Sequence, residues 1–340
     1  MVLQPPVEAF DSNPLVLEAA TEEPQPQLSE VVLAYCQNPY QTTCNQRWPS
    51  VDPSGQVRPD VSGEVRALRM MRTMVQENPN WTADQVQENL AIMIYTDQRR
   101  ERALKVFNWA KAQILQWVAE KSDVFNDIER QALVERIQAV TLSMPPPARE
   151  YAEAVDLITK NAVYYERTSA GELRLRVGGA YLMSTTSWYN MVFTFAHEIA
   201  HAIDPCEMKS FGLVPRSYNS LIQCFVDTDW IEEERRNCGS LEQVSEVFAD
   251  WVASEIFSRA LSQWSVDYTP EEKISAAINS TRDLCEQSVE GHTLNLSYHQ
   301  GPKTRIGKIL GQRPELQTIL SCPNKTTNHY CALTSMESSQ

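Results

Sequence analysis

The chain has 340 residues, room for one large domain or two modest ones with a sizeable buried core. Hydrophobic residues at 42% and charged ones at 22% exclude a globally disordered or fibrous chain. A net charge of −14 argues against nucleic acid and anionic membrane surfaces as partners, and no run reaches the roughly 18 uninterrupted apolar residues of a membrane-spanning helix.

Residues 1–30 carry Pro5, Pro6, Pro14, Pro24 and Pro26 among Glu and Gln and read as an extended or disordered arm. The first basic residue is Arg47, so neither the charged start nor the apolar stretch of an export signal is expected in this chain. Residues 31–150 form a mainly helical region. Val65, Leu68, Met71 and Met74 recur at helical spacing, and Thr82 or Asp84 can cap a second helix through Ile92 and Ile94. Leu104, Phe107, Trp109, Ile114, Trp117 and Val118 make a longer apolar stripe, and Ser122-Asp123 starts a helix expected to end near Met144. These stripes are read as core. Pro145-Pro146-Pro147 stops the helix and marks a domain boundary.

Residues 151–340 change period. Ala162–Tyr165 and the alternating Leu173–Val177 read as a β-hairpin around Ser169-Ala170-Gly171. Ser184, Thr185 and Thr186 offer caps for a helix from about Ser187 past His201, and further helices fit Leu241–Leu261 and Pro270–Val289. The fold class expected is α+β, mainly helical.

Eight cysteines are scattered along the chain without a CxxC pair. That pattern favours four disulfides in an oxidising compartment over thiolate metal ligation. Sequons at Asn80, Asn279, Asn295 and Asn324 are compatible with secretion.

The chemistry concentrates in Phe195-Ala196-His197-Glu198-Ile199-Ala200-His201. Histidines four apart lie on one helix face and can bind one zinc ion, while Glu198 stands beside the metal, where it can take and return a proton. Val192, Phe193, Phe195, Ile199 and Ile203 make the helix a buried one, and buried histidines need a partner or a metal. Glu246 and Asp250, again four apart on an apolar helix, can supply a third ligand and a carboxylate for the free N–H of a ligand histidine.

With these motifs the sequence resembles the neprilysin and endothelin-converting-enzyme family of zinc metallopeptidases, which are gluzincins. His197–His201 stands for the family's HExxH and Glu246–Asp250 for its ExxxD. Asn161-Ala162-Val163-Tyr164-Tyr165 resembles its substrate-binding strand, and His299-Gln300-Gly301-Pro302-Lys303-Thr304-Arg305 its late His/Arg segment. The resemblance implies a thermolysin-like catalytic domain with a small sheet, His299 supporting the transition state, and Arg305 beside the substrate carbonyl. It also implies Asn161 and Ala162 on the substrate backbone. Cys36, Cys44 and Trp48 match the family's early Cys/Trp segment, which implies pairs Cys36–Cys322, Cys44–Cys285 and Cys224–Cys331 and leaves Cys206 for Cys238. Only about 110 residues separate Trp48 from Lys160, so most of the family's helical capping lobe is expected to be missing. Phe193 and Thr194 replace smaller aliphatic residues, so the pocket for the residue after the cleaved bond is expected to differ.

The expectation is a secreted or periplasmic zinc endopeptidase acting on peptides or proteins, one Zn²⁺ per chain, with oligomeric state left open. Its ligands are His197, His201 and Glu246, its acid/base Glu198. A catalytically silent peptide-binding module and an aminopeptidase remain as alternatives.

Overall fold

The computed structural model describes residues 28–45, 51–56, 63–144, 158, 162–239, 242–288, 299–323 and 330–335. Most of the 1–30 arm, Trp48, the Pro145–Pro147 boundary and Asn161 lie outside these. The protein is mainly helical with a small three-stranded sheet. No helix among the described residues is long and apolar enough to cross a membrane.

The N-terminal part holds α1 (Leu28–Gln37), α2 (Pro39–Asn45), a short β1–β2 hairpin (Val51–Asp52, Gly55–Gln56), α3 (Gly63–Glu77), α4 (Ala83–Ile94), α5 (Asp97–Glu120) and α6 (Asp127–Ala139). Thr82 closes a capping box on α4 with Gln85. Helix α6 begins later than the Ser122-Asp123 expectation, because Asn126 and Glu129 form the capping box there. It also ends earlier: Thr141–Ser143 leaves the helix as β3 and pairs with the sheet.

The inward face of α3 differs from the periodicity reading. Val65 and Leu68 are exposed, while Ala67 and Met74 are buried. The reason is Gly63, where an added Cβ would lie 2.1 Å from the Ala180 carbonyl oxygen. The backbone itself is packed at that point, and the small edge of α3 turns inward. Leu104 is likewise exposed, outside the stripe continued by Phe107, Ile114, Trp117 and Val118.

The sheet runs β3–β5–β4, with β4 (Val163–Arg167) antiparallel and β3 (Thr141–Ser143) parallel to β5 (Leu173–Val177). After α7 (Gly179–Ser184) comes α8 (Trp188–Ala200), continued by a tighter turn at His201–Ile203. Its cap is Ser187, not the expected Ser184–Thr186 run: Ser187 Oγ accepts from the Asn190 amide. Helix α8 is the centre of the core. It packs on α11 (Val244–Trp264), α5, α12 (Pro270–Thr281) and β4. Helices α9 (Pro205–Phe211) and α10 (Ser217–Asp227) lie between α8 and α11 in sequence, and a wide π-type helix (Lys303–Leu310) and α13 (Pro314–Ile319) follow.

Four disulfides join Cys36–Cys322, Cys44–Cys285, Cys206–Cys238 and Cys224–Cys331. The first two span 286 and 241 residues and tie α1 to the segment after α13 and α2 to the segment after α12. Contact there is close: an added Cβ at Gly311 would meet Pro39 at 2.3 Å, and one at Gly307 would meet Tyr40 at 3.5 Å. Of the sequons, Asn80 is on the surface, Asn279 is fully buried, and Asn295 and Asn324 lie outside the described residues. A buried asparagine cannot carry a glycan, so Asn279 drops out of the secretion argument.

Asp52 fastens the hairpin to the α8 cap. Its Oδ2 accepts from Ser187 Oγ at 2.7 Å and Asn279 Nδ2 at 3.1 Å, and its Oδ1 accepts from Ser54. Asp52→Ala strands two buried donors and is expected to cost about 2–3 kcal/mol in urea denaturation. Glu101→Ala, at an exposed pair with Lys105, should change stability by less than about 0.5 kcal/mol in the same assay.

Candidate active site

Helices α8 and α11 cross with their motif faces together. His197 and His201, one turn apart, project from α8 and are nearly buried; Glu246 and Asp250, one turn apart, project from α11. Asp250 Oδ1 lies 2.9 Å from His197 Nδ1. A carboxylate there calls for a proton on Nδ1, which leaves Nε2 to point into the cleft with its lone pair. His201 is oriented the same way by Asp204, whose Oδ2 lies 3.0 Å from His201 Nδ1.

Asp204 was not among the candidate residues. Its other oxygen accepts from the amides of Cys206 and Glu207, so one side chain caps α9 and orients a histidine. An Asp-Pro pair starting a helix is a legible capping signal. Its spacing of three from His201 is what brings the carboxylate back to the ring.

Three imidazoles converge on one oxygen. The Nε2 atoms of His197, His201 and His299 lie 3.2, 3.8 and 3.0 Å from Glu246 Oε2. Yet that buried oxygen accepts no hydrogen bond of good geometry. An orphaned carboxylate oxygen amid imidazole nitrogens is a donor set for a divalent cation, and His197, Glu246 and His299 also place one ligand atom each within 4.8 Å of one another. Burial works against a charged imidazole, yet Asp250 and Glu246 outweigh it and push His197 up to about 10. A second cluster, Cys206, Cys238 and Glu242, is occupied by a disulfide and cannot ligate through its sulfurs.

Glu198 sits beside this centre. Its Oε2 accepts from the Tyr165 backbone amide at 2.8 Å, and burial pushes its carboxyl up against the pull of His197 and His201. A raised carboxyl held at one oxygen is suited to accept and return a proton.

Strand β4 borders the cleft, and its register shifts one expectation. The Ala162 carbonyl accepts from the Gly178 amide and so faces β5. Because backbone groups alternate, the edge turned away from β5 belongs to Val163 and Tyr165, one residue on from the expected Ala162, and the Tyr165 amide there is taken by Glu198. Asn161 lies outside the described residues.

Arg305 is placed behind the ligands. It is 4% exposed, and its Nε and Nη2 donate to Asp250 at 2.7 and 2.8 Å, while it still lines the cleft. Burial alone would raise the Asp250 carboxyl, but Arg305 and His197 hold it well below the ordinary carboxylate range. His299 is 41% exposed at the rim, and the next residue, Gln300, donates to Gln243 at the start of α11. The cleft encloses about 500 Å³.

No family model, curated protein or solved structure matches the chain. The site therefore stands on its own geometry.

Arg305→Leu leaves Asp250 buried with its main counter-charge gone and is expected to cost about 3–5 kcal/mol in urea denaturation. The double variant Arg305→Leu/Asp250→Leu should recover part of that loss. A double variant as unstable as the sum of the two single ones would show that the pair is not coupled.

Proposed function

We propose that the protein is a zinc-dependent endopeptidase of the gluzincin type, a shortened relative of the neprilysin and endothelin-converting-enzyme family. One observation carries the reading: three imidazole Nε2 atoms gather around an orphaned Glu246 oxygen, with Glu198 pinned beside them by Tyr165.

His197, His201 and Glu246 would hold the ion, which when bound supplies a Lewis acid for the peptide carbonyl and makes water acidic enough to attack near neutral pH. Asp250 and Asp204 keep the two histidines in the ligating tautomer. Glu198 takes the proton from the attacking water and returns it to the amine that leaves. His299, at the rim, donates to the carbonyl oxygen as it gathers charge. Val163 and the Tyr165 carbonyl present the open edge of β4, along which an extended peptide aligns as an added strand, while the Tyr165 N–H stays on Glu198. Arg305 fixes Asp250 and closes the cleft from behind. The four disulfides support an oxidising, extracytoplasmic location.

The test is cleavage mapping of a mixed peptide library by mass spectrometry, with metal content measured in parallel. The wild type, loaded with zinc, should make internal cuts that a chelator stops. Glu198→Gln should retain the metal and lower turnover by about 10²–10⁴. Glu246→Ala should lose the metal. Internal cuts unaffected by Glu198→Gln would remove the acid/base assignment. Stoichiometric zinc with no cleavage by either protein would move the assignment to peptide capture.

A further inference from the structure

One charge in the cleft is not accounted for by the chemistry above. Asp283, just after α12, lines the inner wall together with Leu284, Tyr181, Phe193 and Thr194. Phe193 precedes His197 by four residues, so this wall continues the motif face of α8 by one turn.

Arg305 is bound through two hydrogen bonds to Asp250. A divalent ion would be balanced by Glu246 and Glu198. Asp283 is left over. Its side-chain partner is Asn190 Nδ2 at 3.3 Å, and that nitrogen also lies 3.1 and 3.2 Å from the carbonyl oxygens of Asn279 and Ser280. Three acceptors share two hydrogens, and Asp283 is the most distant of them. Asn190 is itself fixed by the Tyr181 hydroxyl, which donates to its Oδ1 at 3.1 Å. Burial pushes the Asp283 carboxyl up, with Asn190, the field of Arg305 and backbone amides only partly opposing it. The carboxylate is therefore positioned, part-buried at the cleft wall and short of positive charge.

Around it the wall is apolar and aromatic. Phe193 and Leu284 are buried side chains suited to the methylene stem of a long side chain, with the carboxylate at its tip. Resting on the cleft being a peptide site, we propose that Asp283 makes this wall a subsite for a cationic side chain, so that the preferred ligands are peptides carrying lysine or arginine there. The net charge of −14 favours the same ligands at long range.

The probe pair is lysine against norleucine, which share a stem and differ in the ammonium group. The full chain carrying Glu198→Gln, loaded with zinc, is titrated calorimetrically with blocked Ala-Lys-Ala, Ala-norleucine-Ala and Ala-Glu-Ala. Lysine should bind about 10- to 100-fold more tightly than norleucine, the range of a hydrogen bond between charged groups. Asp283→Asn in the same chain should bring that ratio close to one. A merely structural role would weaken all three peptides and keep the ratio. If Asp283→Asn does not fold, the glutamate peptide decides: weaker than norleucine supports the subsite, equal or tighter binding overturns it. A lysine-to-norleucine ratio near one in the parent chain, or no binding of any of the three, also overturns it. The library digest is independent. Internal cuts with a ratio of one keep the peptidase and remove the subsite, and a lysine-dependent ratio without cuts does the reverse.

Discussion

A guanidinium cannot stay in a protein interior without an anion, and that constraint organises the cleft. Arg305 is buried, Asp250 is its anion, and the same carboxylate is the partner of His197 Nδ1. One residue on α11 thus sets the rotation of a ring on α8 and the position of the π-type helix that carries Arg305. Moving any of the three leaves a charge or a hydrogen-bonding atom unpaired in a low-dielectric region, which costs more than the bond itself is worth. Rigidity at the histidine is therefore a by-product of avoiding an unpaired charge. His201 reaches the same end locally, because Asp204 is already fixed as the cap of α9.

Much of this arrangement was legible in the chain. Two histidines four apart on an apolar helix, and two acids four apart on another, place four groups at one crossing whatever else the fold does. The parts that were not legible depend on single backbone contacts. Gly63 turns α3 about its axis because backbone meets backbone there, and a hydrophobic period does not record that. The cap of α8 falls on Ser187 rather than its neighbours because Asp52, far away in sequence, accepts its hydroxyl. The free edge of β4 shifts by one residue because Gly178 uses the Ala162 carbonyl. In each case local signals allowed neighbouring choices, and a long-range hydrogen bond or steric contact selected one.

The charges of the cleft divide into those that hold the fold and those that are available. Arg305 and Asp250 neutralise one another. Glu198 holds one oxygen on the Tyr165 amide, and Glu246 Oε2 stands amid three imidazoles without a hydrogen bond of good geometry. Natural interiors avoid such surplus carboxylate because each acid costs stability when desolvated. Functional sites are where that cost is tolerated, and the group then acts by binding what it lacks. The clustering of acids around two helices is thus a positive reason to read the crossing as a binding centre.

The short N-terminal part follows from the same need for fixed geometry. A cleft wall made of a π-type helix and the segment after α12 has little regular structure of its own to hold it. Helix α2 packs on the first through Pro39 against Gly311 and Tyr40 against Gly307, and it is bonded to the second through Cys44–Cys285. Cys285 is two residues from Asp283, and Arg305 is two residues from Gly307. The elements that carry these side chains are therefore clamped from behind by one short helix, with Cys36–Cys322 anchoring α1 before it. The disulfides do more than restrict the unfolded chain. By holding the wall against α2 they brace from outside the segment that carries Asp283, while Asn190 of the HExxH helix holds the same segment from inside through the Asp283 carboxylate.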